Sequence, residues 1–135
     1  MIRDERLASE AGSVVVGVAL VAVLLIFVFG IGLVGAVAAA YSSAATAADA
    51  AALASAPVTF RPFGAQGSAI SEASRFASHN GATLVDCTCP TNRSWEARTV
   101  SVTVSRAIVL PVVGRVVVNA TSRATFDPAA LLSDP

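Results

Sequence analysis

The feature that most constrains this chain is a run without charge. No Asp, Glu, Lys or Arg occurs between Glu10 and Asp49, and within it Ser13–Ala40 reads SVVVGVALVAVLLIFVFGIGLVGAVAAA. At about 1.5 Å per residue, the 27 residues Val14–Ala40 make a helix of roughly 40 Å, enough to cross a hydrocarbon core of about 30 Å with some tilt. Seventeen of those residues are Val, Leu, Ile or Phe. At roughly −0.3 to −0.6 kcal/mol each they favour insertion, with no buried charge to oppose it. A soluble core helix normally keeps a polar face, and this run has none. The segment is therefore expected to be a transmembrane helix.

The 135-residue chain has room for one anchor and one small domain. About eighty residues follow Ala56, near the lower limit for a domain held by its hydrophobic core alone. Formal net charge is zero, so there is no basic footprint for nucleic acid. All nine basic residues are Arg, which together with the Ala and Val content points to a GC-rich, bacterial genome. Arg3 and Arg6 precede the apolar run, and the next basic residue is Arg61. The positive-inside rule then places residues 1–12 in the cytoplasm and residues 41–135 outside. A second reading is a signal peptide cleaved after Ala38-Ala39-Ala40, but a signal h-region spans about 7–15 residues and this one is much longer.

Small residues recur in the apolar run at helical spacing: Gly32, Ala36 and Ala40, with Gly35 and Ala39 beside them. Such spacing lets a second helix approach closely, although Gly and Ala are also common in membrane helices without that role. Residues 41–56 (YSSAATAADAAALASA) keep helical propensity while losing hydrophobicity, so the helix is expected to continue as an Ala-rich extension and stop before Pro57; poor in large side chains, that part either packs closely against something or stands as a stalk. Tyr41 suits the membrane interface.

Residues 57–67 (PVTFRPFGAQG) read as a linker. Ser68–Asn80 fits an amphipathic helix with Ser68 as N-cap, an apolar face of Ala69, Ile70, Ala73, Phe76 and Ala77, and a stop at Asn80-Gly81. Ala82–Cys87 reads as a strand and Cys89–Ala97 as a loop. Thr99–Arg106 alternates, with Val100, Val102 and Val104 on one face and Ser101, Thr103 and Ser105 on the other. Ile108–Val113 is apolar around Pro111, as in a connection or edge. Arg115–Phe126 alternates again, and Asp127–Pro135 reads as a frayed tail. The expected fold class is α+β. A long N-terminal transmembrane helix with its Ala-rich extension (13–56) is followed by a small extracytoplasmic domain (68–126) of one helix on about three antiparallel strands.

The residues that carry chemistry are sparse. His79, the only histidine, falls at a helix end, where a cation suits the dipole, and no spacing supplies it with a nucleophile and carboxylate. Cys87 and Cys89 have too few neighbouring ligands for zinc. Their spacing in an extended strand lies at the long limit for a disulfide, so an easily reduced bridge, a link to another chain and free thiols all stay open. Asn92-Arg93-Ser94 and Asn119-Ala120-Thr121 match the glycosylation sequon, a short pattern that most bacteria do not use. Trp95 could make an exposed contact in its loop, but a core or edge position is the commoner fate of a tryptophan. The expectation is no enzyme activity, no cofactor or metal site, and no nucleic-acid or small-molecule partner.

These segments in this order resemble the TadE/TadG-like proteins of Flp-type (tight adherence, Tad) pilus assembly, in their short actinobacterial form. The likeness rests on Gly12-Ser13-Val14-Val15-Val16, ATAADAAALASA at 45–56, FASHNGATLVDC at 76–87, VSVTV at 100–104 and SRA at 122–124. It implies a pilin-like fold and a minor pilin, pseudopilin or accessory protein held in the cell membrane. The implied partners are pilin subunits or other pilus-assembly membrane proteins. It also implies a prepilin processing site at Gly12/Ser13. Many members carry glutamate five residues past that site, in a GSxxxE pattern; Gly17 stands there in this chain, nearer the TadG-like branch. Outside that family, a generic membrane-anchored binding module, or a domain released by signal peptidase after Ala40, fits the same composition.

Overall fold

The computed structural model describes residues 2–60 and 67–132. It contains helix α1 (Ile2–Val58), helix α2 (Ala69–His79), strands β1 (Thr83–Thr88), β2 (Arg98–Leu110) and β3 (Gly114–Phe126), and a closing 3-10 turn at Pro128–Leu132. The chain forms two compact units that divide between Ala36 and Val37.

In the first unit α1 makes no tertiary core. Its large side chains, among them Val14, Leu20, Phe27 and Ile31, are exposed. Among the described residues, one helix is long and apolar enough to cross a membrane, and this is it. The polar residues that precede the apolar run are helical in backbone from Ile2 onwards.

The second unit begins at Val37 and is built on the rest of α1. Ala44, Ala47, Ala48, Ala51 and Ala52 have no exposed surface, and Ala56 has almost none. These positions recur at three- and four-residue intervals, so they line one face of the helix. They share a single core with Ala73 and Ala77 of α2, Val100, Val102 and Val104 of β2, and Ala120 and Ala124 of β3. Small methyl groups let neighbouring backbones approach closely, and the valines of β2 are the largest fully buried side chains. The Ala-rich segment is thus the spine of the domain rather than a stalk outside it.

The end of α1 lies two residues beyond expectation. The helix runs through Pro57 to Val58. Pro57 has no N–H to give the Leu53 carbonyl, and just beyond it the helix end is capped: the Ala56 carbonyl accepts from the Thr59 N–H at 3.2 Å and the Thr59 hydroxyl at 2.6 Å. The linker expected at 57–67 therefore loses its first residues to the helix, and 61–66 lie outside the described residues.

Helix α2 starts with a reciprocal capping arrangement: Ser71 N donates to Ser68 Oγ at 3.0 Å, and Ser68 N to Ser71 Oγ at 3.1 Å. It ends where Asn80 caps the Phe76 carbonyl and Gly81 adopts φ +70°, a conformation that favours glycine. Ala69, Ala73 and Ala77 face inward as expected, whereas Ile70 is exposed.

The three strands form one antiparallel sheet in the order β1-β2-β3. β2 and β3 pair over their full length, from Arg98↔Phe126 to Leu110↔Gly114, joined at Pro111–Val113. The alternation seen in sequence holds: Val100, Val102 and Val104 are buried, while Thr99 bonds across to Thr125 (3.1 Å) and Thr103 to Thr121 (2.8 Å) on the opposite face. Both strands are longer than the alternating pattern alone indicates, because Ile108–Leu110 stays paired up to Pro111. The segment expected to be a frayed tail carries the 3-10 turn, with Pro128 buried.

Candidate functional site

The candidate surfaces are best placed by how β2 runs along α1. Arg98 Nη1 donates to the Thr59 carbonyl at 3.2 Å, Ser122 Oγ on β3 bonds Asp49 Oδ1, and Arg106 Nη1 donates to Ser43 Oγ at 2.7 Å. From Arg98 to Arg106 the strand therefore travels back along the helix, from Thr59 towards Ser43.

At the Thr59 end lies a polar hub that the sequence did not single out. Arg98 is 6% exposed. Its guanidinium donates to four main-chain carbonyls: Thr59, Asn92 (3.0 Å), Ser94 and Glu96 (3.3 Å). Its charge also sits 5.4 Å from the centre of the Phe60 ring, which packs edge-on against Trp95 at 4.9 Å. Among the described residues no carboxylate pairs with it, and its Nε has no acceptor. One side chain thus holds the end of α1, the 92–96 loop and the start of β2 together. Its partners are backbone carbonyls, which leave no trace in a side-chain pattern. Trp95 remains partly exposed on this hub.

The cysteines stand nearby. Cys87 and Cys89 are joined as a disulfide, with Cα atoms 5.4 Å apart. The chain leaves β1 at Thr88, so the pair does not keep the full extended spacing that the sequence suggests, and the separation is an ordinary one for a bridge. Both are half-buried and pack against the core. His79 is exposed in the last turn of α2. Among the described residues, no three of His, Cys, Asp and Glu gather closely enough to hold a metal ion.

The small residues of the apolar helix do not share one fate. Gly32, Gly35, Ala36 and Ala39 are exposed, and a Cβ at either glycine would meet open space. Ala40 is 6% exposed, covered by its own chain, and so offers no surface to a second helix. Gly12 and Ser13 lie within the helical backbone of α1.

At the opposite end of the sheet from Arg98, the β2–β3 tip is apolar apart from one exposed charge, Arg115. Val109, Val113 and Val117 are exposed, and Val112, at the turn with φ +73°, is 93% exposed. A β-branched residue at positive φ is uncommon.

Compared with protein-family models, characterised proteins and solved structures, the chain matches none.

Proposed function

We propose that this chain is a single-pass membrane protein acting as an accessory or minor pilin-like component of Flp-type pilus assembly. Its N-terminus is cytoplasmic and the Val37–Pro135 unit is extracytoplasmic. The observation that carries the reading is the division of labour along α1. From Ser13 to Ala36 the helix is apolar and largely exposed, then Ala-rich and buried on one face as the spine of a small α+β unit. A pilin-like subunit needs these two properties on one helix: a surface that lipid or neighbouring helices can cover, and a rigid attachment to a folded head. Gly17, where the resembling family often has glutamate, favours an accessory position over a filament subunit. A buried carboxylate that could pair with a neighbour's N-terminal amine is missing.

The function is tested in the native host by deleting the gene and measuring surface-exposed pilin in the sheared fraction. Loss of surface pilin, restored by the intact gene, is expected. Unchanged piliation, or a host without Flp-type pilus genes, would leave a membrane-anchored binding module of another system as the better reading.

A further inference from the structure

We propose that the tip of the β2–β3 hairpin sits in the outer leaflet of the same membrane that α1 crosses, giving the domain a second point of contact with lipid. The inference rests on the membrane-anchor reading of α1. Its first support is position. Arg106 is fixed to Ser43 on α1 at 2.7 Å. From there β2 continues to Leu110, an advance of about 13 Å at some 3.3 Å per residue. Val37 lies about 9 Å before Ser43 on the helix, at 1.5 Å per residue. The strand has been running back along α1 since Thr59, so the tip passes the level of Tyr41 and reaches the first turn of the unit. That is where the apolar sequence of the helix begins to give way to the Ala-rich one.

The second support is a change of composition on the uncovered face of the sheet. From Thr99 to Ser105 on β2, and from Thr125 to Asn119 on β3, that face carries only Thr, Ser, Asn and Arg. One rung further the pair is Ala107↔Val117, and the next outward residue on β2 is Val109. An uncovered face facing only water has no reason to change from hydroxyl to hydrocarbon at one level of both strands. A face that meets the membrane there does. The turn beyond, Pro111-Val112-Val113, adds no polar side chain.

The third support is the one charge at the tip. Arg115 pairs with Val109 in the register and is exposed. Its long stem lets the guanidinium reach back from an apolar surface to lipid phosphates. A water-soluble partner protein would equally cover valines, but would not require the polar-to-apolar step to fall at the level of Tyr41, the interfacial residue of α1.

The test is fluorescence quenching of the full chain in phosphatidylcholine vesicles containing lipids brominated on their acyl chains. In a Trp95→Phe background, single tryptophans are placed by Phe27→Trp, Val109→Trp, Val113→Trp and Leu131→Trp, the last being exposed elsewhere on the domain. Val109→Trp and Val113→Trp should each lose emission to within about twofold of Phe27→Trp, as apolar residues at membrane depth do, while Leu131→Trp and native Trp95 are spared. Quenching of Phe27→Trp without quenching at 109 and 113 would overturn the proposal and leave the anchor standing. Equal quenching of Leu131→Trp would also overturn it, showing general adhesion. An unquenched Phe27→Trp would remove the anchor, and this inference with it.

Discussion

Replacing Arg98 with methionine sets two large effects against each other. The guanidinium is almost fully buried and, among the described residues, has no carboxylate partner and no acceptor for its Nε, so removing it relieves a desolvation cost that can reach several kcal/mol. Against that stand four carbonyls that Arg98 draws together. Those of Asn92, Ser94 and Glu96 lie in a partly exposed loop and can regain water. Thr59 is fully buried, so water cannot replace the bond its carbonyl loses; among the described residues it keeps only the Asn92 N–H at 3.3 Å, and losing a bond to a charged donor there costs about 1–3 kcal/mol. With the looser 92–96 loop and the lost contact to Phe60 added, Arg98→Met should destabilise the domain by about 2–3 kcal/mol. Because methionine keeps most of the volume, the effect reads the hydrogen bonds rather than a cavity. Arg98→Lys keeps the charge but cannot span four acceptors, and should recover less than half. The assay is urea unfolding of the full chain in detergent, followed by Trp95, which packs on Phe60. At a typical slope the midpoint should fall by about 1–2 M. A midpoint equal to or above that of the native chain would show that desolvation dominates, and would refute the account of Arg98 as the hub.

Three further outcomes follow from the same geometry. Ala48→Leu inserts bulk where no surface is exposed and should cost about 2 kcal/mol or more in the same urea assay, whereas Ala39→Leu, on an exposed position, should leave the midpoint unchanged. Replacing Cys87 and Cys89 together with alanine removes a bridge that closes a loop of only three residues, so chain entropy accounts for about 1–2 kcal/mol, and the domain should still unfold cooperatively at a modestly lower midpoint. Gly32→Leu combined with Ala36→Leu fills the exposed small-residue face without touching the domain core. Loss of detergent-stable complexes is expected in native gel electrophoresis, and unchanged complexes would mean that this face packs against lipid alone.

What could be read from the chain beforehand depended on how each residue advertises its surroundings. The valines of β2 alternate with Ser and Thr, so strand, buried face and solvent face were all legible, and Asn80-Gly81 announced the end of α2. Alanine advertises little. Residues 44–56 read as a helix, but nothing in their side chains distinguishes a stalk in water from a spine pressed against a sheet, since burial here comes from close backbone approach. For the same reason Ala40 looked like part of a face open to another helix, and it is covered by its own chain. Arg98 was invisible because its partners at 59, 92, 94 and 96 are carbonyls. The hairpin tip was seen as an apolar segment broken by Pro111. Its paired length, and the point at which its uncovered face turns apolar, emerge only once β2 is set against β3.

The central claim is that residues 14–40 stay with the folded domain and hold it in a membrane. Intact mass spectrometry of the protein from native-host membranes tests this most directly. The account predicts a species that retains Val14–Ala40, either from the upstream end or from Ser13 if the Gly12–Ser13 bond is cut. A mature chain beginning at Tyr41 and recovered from the medium would contradict it, leaving a secreted domain that has lost its anchor.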